Sequence, residues 1–289
     1  PKLATLATQF PVVGILGPRQ SGKTTLAKNT FSNYAYVSLE NPDDKALAIS
    51  DPRRFFKAYH NEHGLIIDEI QEVPTLLSYM QGIVDQEYRP GAFIITGSQN
   101  ILLLEKVTQT LAGRIALLTL LPLSVDELRN AQKLPATLEE LLLTGCYPRP
   151  YNQPIPAAEW FSHYITTYVE RDVRQLINIE NLLIFQNFLK LCAGRVGQLL
   201  NYSALASDCG ISLNTAKSWM SILVASYIIH LVPPYYKNFN KRVIKSPKLH
   251  FYDTGLVCAL LGITDHKQLY THYMRGHLFE SFVISECMK

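Results

Sequence analysis

Gly17-Pro18-Arg19-Gln20-Ser21-Gly22-Lys23-Thr24 follows a short apolar run, Val12-Val13-Gly14-Ile15-Leu16, and leads into a helical pattern that begins at Gly22. The spacing is G-x-x-x-x-G-K-[ST], set between strand and helix as its chemistry requires. Glycines let the backbone close around an anion, so successive N–H groups and the helix N-terminus can point at phosphate oxygens. Lys23 is expected to reach the β and γ phosphates, the Thr24 hydroxyl to ligate Mg2+, and Thr25 to contact the α-phosphate. The nucleotide-binding set is therefore Gly17, Pro18, Arg19, Gln20, Ser21, Gly22, Lys23, Thr24 and Thr25. Within it, Arg19 reads either as a phosphate contact or as a solvated side chain.

Leu65-Ile66-Ile67-Asp68-Glu69 is an apolar strand that ends in two adjacent acids. Neighbouring residues on a strand face opposite sides, so Asp68 is expected in the metal shell and Glu69 beside the attacking water. The competing reading is ordinary helix capping after a strand. Without Glu69 the loop would suit a nucleotide switch; with it, hydrolysis of ATP in the presence of Mg2+ is expected. Phe93-Ile94-Ile95-Thr96 runs into Gly97-Ser98-Gln99-Asn100, which sets small polar groups where α/β sheets bind ligands. Ser98 or Gln99 could orient the water, or Ser98 could simply cap a helix. Arg114, closing Leu111-Ala112-Gly113-Arg114, is a candidate for stabilising charge on the transferring phosphoryl group. If it acts in trans the active form is a homo-oligomer; a plain salt bridge is the rival reading. The expected catalytic residues are thus Glu69, Lys23, Arg114 and Ser98, with Thr24 and Asp68 on the metal. His60 and His63 have near-ligand spacing but no third ligand, and read as surface or packing residues.

The elements that must hold these groups are legible as alternating apolar strands and helical patterns. Strands are expected at Val12–Leu16, Ala35–Leu39, Gly64–Ile67, Ala92–Thr96 and Ile115–Leu120, with helices between them, as at Pro52–Tyr59 and Thr75–Val84. Such alternation implies an α/β fold: a parallel sheet with helices on both faces, the core of a P-loop NTPase. From Asp126 to about Leu191 the pattern turns helical, interrupted between Gly145 and Pro156 by Pro148, Pro150, Pro154 and Pro156. This reads as a helical lid with a proline-rich linker, after which Trp160–Asn178 resumes helical spacing. The expected division is 1–130 for the ATPase core, 131–182 for lid and linker, 183–250 for a winged helix-turn-helix, and 251–289 for a partial last module.

Four segments, Gly17 to Leu26, Ile67-Asp68-Glu69-Ile70-Gln71-Glu72, Thr96-Gly97-Ser98 and Leu111 to Arg114, together resemble the prokaryotic AAA-type ATPases that carry a C-terminal domain of unknown function with a nuclease-like fold. The resemblance covers essentially the whole chain. It implies an AAA-like core, a winged helix, and a final domain similar to PD-(D/E)xK nucleases. Tyr252 to Leu256 and Gly276 to Glu280 look like that domain's opening segments, with Glu280 at its first acidic position. The paired acid and lysine of a complete nuclease pattern are missing before Lys289, so nuclease activity is not expected of this chain.

The charge distribution points the same way as the helix-turn-helix pattern. Residues 181–250 hold eight Lys or Arg against one acid, Asp208, a net +7, so the remainder of the +3 chain carries −4. Tyr202–Ala206 begins one short helix, Gly210 makes a turn, and Asn214–Val224 makes a second. Ser212, Asn214, Thr215, Lys217 and Ser218 would lie where such helices meet DNA, and Lys237–Lys248 would form a basic wing against the backbone. The leading expectation is an ATPase whose nucleotide state repositions this module on double-stranded DNA through residues 201–250. The alternative is a signalling switch whose winged helix docks a protein. A small-molecule kinase is disfavoured by Glu69 beside Asp68.

Composition bounds the rest. With 47% apolar and 18% charged residues the chain can build sizeable cores. No apolar run is long enough to span a bilayer and no signal pattern opens the chain, so a cytoplasmic protein without membrane contact is expected. Cys146, Cys192, Cys209, Cys258 and Cys287 show no paired spacing and read as reduced thiols in packed regions. The start at Pro1 and the stop at Lys289, inside an amphipathic segment, read as trimmed ends.

Overall fold

Five short apolar runs become strands: β1 (Val12–Leu16), β2 (Ala35–Ser38), β3 (Leu65–Asp68), β4 (Phe93–Gly97) and β5 (Ile115–Thr119). All pair in parallel, in the order β2-β3-β4-β1-β5. The computed structural model describes residues 2–59, 61–98, 109–169, 182–235 and 245–289. Every residue of β1, β3 and β4 is buried, as central parallel strands covered on both faces require, while the edge strands β2 and β5 are only partly covered. Register then decides what the sheet's carboxyl edge presents. Leu16 pairs with Gly97 and Thr119, Ile67 with Ile95, and Ser38 with Asp68. The residues after Leu16, Asp68 itself and Ser98 therefore emerge together.

Helices α1 (Lys2–Ala7), α2 (Lys23–Thr30), α3 (Pro42–Ser50), α4 (Pro52–Tyr59) and α5 (Leu76–Gln86) accompany this sheet. Helix α3 shows the local logic: Asn41 caps the Asp43 amide at 3.1 Å, Pro42 takes the first turn, and Asp43 and Asp44 face the positive end of the helix dipole. Residues 1–120 form one compact unit and 121–289 another.

The second unit carries α6 (Val125–Asn130), α7 (Leu138–Thr144), α8 (Pro148–Asn152) and α9 (Ala157–Tyr164). The expected proline-rich linker thus contains a short helix, because Pro148 occupies a first-turn position, where its missing N–H costs nothing. Beyond α9 a π-helical turn spans Ile165–Val169, and the rest of the helical pattern read to Asn178 lies outside the described residues. There follow α10 (Leu182–Ala193), α11 (Tyr202–Cys209), α12 (Leu213–Ala225), the antiparallel pair β6 (Ile229–Val232) and β7 (Lys248–Phe251), and α13 (Thr254–Leu261), α14 (His266–Thr271) and α15 (Arg275–Glu286). One apolar cluster runs from Leu142 and Tyr147 through Phe185, Phe188 and Trp219 to Phe251 and Leu278, and a smaller one joins Leu128 of α6 to Leu141 and Cys146.

A buried carboxylate ties the unit together. Asp253 Oδ2 accepts from the Cys146 amide at 2.6 Å, and Oδ1 caps α13 through the Leu256 amide at 3.1 Å. Gly145 sits at φ +67°, and a Cβ there would stand 2.3 Å from Asp253 Oδ1, so both its conformation and its close approach demand glycine. Of the cysteines, Cys146, Cys192 and Cys258 are buried and Cys209 half-buried, whereas Cys287 is exposed rather than packed; all are free thiols. No helix among the described residues is long and apolar enough to cross a membrane.

Candidate functional site

β1 is flanked by β4 and β5, strands far from it in sequence, so the loop after Leu16 leaves where strand order reverses, the usual ligand crevice of such sheets. Two glycines shape that loop. Gly17 lies at φ +151°, with the Leu120 carbonyl oxygen 2.1 Å from where a Cβ would stand; Gly22 enters α2 at φ +98°. Lys23 is buried, and its Nζ donates to the Gly17 and Pro18 carbonyls at 3.1 and 2.8 Å, which draws the ammonium under the loop. Ser21 Oγ is buried in the loop with no hydrogen-bond partner among the described residues. Arg19 is not solvated: it is 9% exposed, with Nη1 3.8 Å from a Glu40 carboxylate oxygen.

Asp68 is the hub of the neighbouring strand ends. The Thr24 hydroxyl lies 2.9 Å from both Asp68 oxygens, the Tyr36 hydroxyl donates to Oδ2 at 3.0 Å, and the Thr96 hydroxyl donates to Oδ1. Burial, reinforced by the Asp68 charge, pushes the Tyr36 phenol up to about 12, so it remains a donor at any working pH. Lys28 lies over the Tyr36 ring, 3.3 Å from its centre. Tyr36 and Thr96 escaped the residue-by-residue reading of the sequence as partners of Asp68. Strand register was the signal, since Ile67 beside Ile95 sets Asp68 next to Thr96.

Glu69 does not continue the strand. Its backbone sits at φ 56°, ψ 51°, a left-handed conformation uncommon outside glycine, and a single 3-10 turn, Ile70–Glu72, follows. The divergence of the two acids thus comes from this reversal and not from strand pleating. Ser98 Oγ donates to Glu69 Oε2 at 3.0 Å, and Gln71 Nε2 donates to the same oxygen. The Glu69 amide in turn donates to the Thr96 hydroxyl at 3.1 Å. Gln99 and Asn100 lie outside the described residues.

Arg114 stands apart. It precedes β5, at the amino end of a parallel sheet whose carboxyl edge carries every other candidate, and it forms a two-pronged ion pair with Asp85 at the end of α5. His60 lies outside the described residues, and His63 is exposed beside Glu62. Among the described residues no trio of His, Cys, Asp or Glu is arranged to hold a metal.

The loop and strand ends nevertheless suit Mg2+ with a nucleoside triphosphate. Gly17 and Gly22 open a backbone cradle, Lys23 supplies a buried cation, Ser21 Oγ is an unmatched polar group inside the loop, and Thr24 with Asp68 offers the hard oxygen donors that Mg2+ takes.

In the second unit, Asn201 caps α11, Gly210 ends it at φ 67°, and Ser212 caps α12 through the Thr215 amide at 3.0 Å. Leu213, Asn214, Lys217, Ser218 and Ser221 form the exposed side of α12. The basic stretch read as a wing falls largely outside the described residues, including Lys237, Lys241 and Arg242. Lys248 is described, and its ammonium is matched by Glu280 at 2.6 Å.

Residues 9–129 match the family described as AAA domain, and residues 135–267 match a domain of unknown function (DUF8612). Two uncharacterised proteins, from Mycobacterium bovis and Mycobacterium tuberculosis, are each 32% identical over 281 residues, covering 96% of this chain and 62% of the relative. The chain therefore spans less than two thirds of the length of those relatives. Among solved structures, a Walker-type ATPase of Pyrococcus abyssi superimposes with a TM-score of 0.57 at 16% identity, over 90% of this chain and 93% of that one. At that identity the likeness is one of fold.

Proposed function

We propose, from the AAA-domain match over residues 9–129 and the geometry at the carboxyl edge of the sheet, that this chain binds ATP with Mg2+ and hydrolyses it. The observation that carries the reading is the convergence of Thr24 Oγ1, 2.9 Å from both Asp68 oxygens, with Glu69 adjacent and held by Ser98. In this reading Lys23 leaves the Gly17 and Pro18 carbonyls to neutralise the β and γ phosphates. Thr24 and Asp68 would hold Mg2+, which would supply charge neutralisation for those phosphates. Glu69 accepts the proton of the attacking water, and Ser98 fixes the carboxylate that does so.

The test separates anchoring from chemistry. Lys23→Ala should abolish binding of a fluorescent ATP analogue. Glu69→Gln should bind it normally and lose about two orders of magnitude or more in turnover. Normal turnover in Glu69→Gln would overturn the assignment.

For the second unit we propose a winged helix, residues 183–250, that contacts duplex DNA mainly through charge, supported by the capped α11-turn-α12 pair, the exposed Lys217, and the local net charge of +7. Each neutralised phosphate adds about 0.9 to the slope of log affinity against log salt, so four contacts predict a slope of roughly −3 to −4. Replacing Lys241, Arg242 and Lys245 with Ala should flatten that slope without changing ATP affinity. Absence of duplex binding at low salt, with turnover indifferent to DNA, would favour a protein partner instead. No nuclease chemistry is assigned to residues 251–289: Asp253 is engaged by backbone amides and Glu280 by Lys248.

A further inference from the structure

Resting on the ATPase reading above, we propose that Gln71 is a positioning residue for Glu69: together with Ser98 it clamps one carboxylate oxygen and leaves the other for water. Three hydrogen bonds form a closed set. Gln71 Nε2 donates to Glu69 Oε2 and, at 3.3 Å, to Ser98 Oγ, while Ser98 Oγ donates its own proton to Glu69 Oε2 at 3.0 Å. Among the described residues, the side-chain bonds to this carboxylate all fall on Oε2, so Oε1 stays open as an acceptor. The direction of the amide follows from chemistry: turned over, its oxygen would face a carboxylate, acceptor against acceptor.

The other end of the amide supports a role beyond packing. Among the described residues, Gln71 Oε1 is buried and has no hydrogen-bond partner. A glutamine retained for stability alone would satisfy both ends, since a buried unmatched acceptor is unfavourable; this one satisfies only the end that meets Glu69. The backbone that presents it is fixed on both sides. Ile70 is fully buried, the Glu72 carboxylate receives Lys45 Nζ at 2.6 Å, and the turn between them begins from the left-handed Glu69. After that reversal Gln71, two positions on, lies within hydrogen-bonding reach of the Glu69 carboxylate.

The experiment uses Gln71→Leu and Gln71→Met, two replacements of similar volume without donors, with nucleotide affinity read by a fluorescent ATP analogue in Mg2+ and turnover read by phosphate release. The clamp predicts affinity within about two-fold of wild type and kcat lower by about ten-fold in both variants. It further predicts no additional loss when either change is combined with Glu69→Gln, since the clamp acts only through that carboxylate. Unchanged kcat in both variants would overturn the inference. So would loss of affinity in parallel with kcat, or a further drop in the Glu69→Gln background, because either places the effect elsewhere. Normal turnover in Glu69→Gln itself would instead remove the ATPase assignment on which the clamp stands.

Discussion

At Asp68, three hydroxyls from three different elements meet one carboxylate: Thr24 from α2, Tyr36 from β2 and Thr96 from β4. A carboxylate that is to hold a divalent cation needs a fixed orientation, which neighbours that donate to it supply. Tyr36 contributes without competing for the metal, since burial and the Asp68 charge raise its phenol to about 12 and leave it protonated. Tyr36→Phe removes only that oxygen. A half-buried hydrogen bond to a charged group is worth about 1 kcal/mol, so the Mg2+ concentration giving half-maximal nucleotide binding should rise about five-fold. Binding of the nucleotide in EDTA should not change. A Mg2+ titration that matches wild type would show that Thr24 and Thr96 suffice to orient Asp68.

At the scale of elements, the second unit rests on two buried polar devices. Asp253→Ala would remove the cap of α13 and orphan the Cys146 amide, a loss of about 2–3 kcal/mol. Both tryptophans of the chain, Trp160 and Trp219, lie in residues 121–289, so their fluorescence follows this unit specifically during urea unfolding. The second device is the cross-strand pair His230 and His250, whose rings stack 5.5 Å apart, buried, with no ring nitrogen hydrogen-bonded among the described residues. Tyr252 packs on His230, and Glu280 and Lys248 lie nearest His250. Burial, with His250 as the second cause, lowers His230 to about 4, and His250 is lowered as well. A lowered folded value means that the unfolded chain binds the proton more readily, so stability is full above the ordinary histidine value and falls as pH drops toward 4. The unit should be about 2 kcal/mol less stable at pH 5 than at pH 7.5, and His230→Phe should remove most of that difference. Equal acid sensitivity in His230→Phe would assign it to other groups. These devices mark the limit of the sequence reading. All five strands and the phosphate loop were legible, because buried parallel strands are apolar runs and the loop has a fixed spacing. The latch of Asp253 on Cys146 spans 107 residues and has no local pattern. Nor does the left-handed turn at Glu69, since pleating is the default expectation for a residue that follows β3.

At the scale of the whole molecule, Arg114 poses the question of whether one chain holds a complete site. Leu16 and Thr119 are register partners, so the run from Arg114 to the carboxyl edge is the full length of β5, about 16 Å at roughly 3.3 Å per residue. Its guanidinium, moreover, is engaged by Asp85. Arg114 therefore cannot serve the phosphate loop of its own chain in this arrangement, and a catalytic role would have to be exercised on a second copy through a head-to-tail contact. The two readings separate in a mixing experiment. Under the trans reading, Arg114→Ala binds ATP normally and hydrolyses it poorly, while Asp85→Ala keeps its turnover. An equal mixture of Arg114→Ala with Glu69→Gln should then recover about a quarter of wild-type turnover, since about one interface in four joins an intact Glu69 to an intact Arg114. Under the salt-bridge reading, Arg114→Ala and Asp85→Ala weaken the first unit to a similar small extent, because the pair is partly exposed, and mixing restores nothing. Failure of rescue in a mixture shown by light scattering to co-assemble would leave Arg114 as the partner of Asp85 and make each chain's site depend on its own carboxyl-edge residues alone.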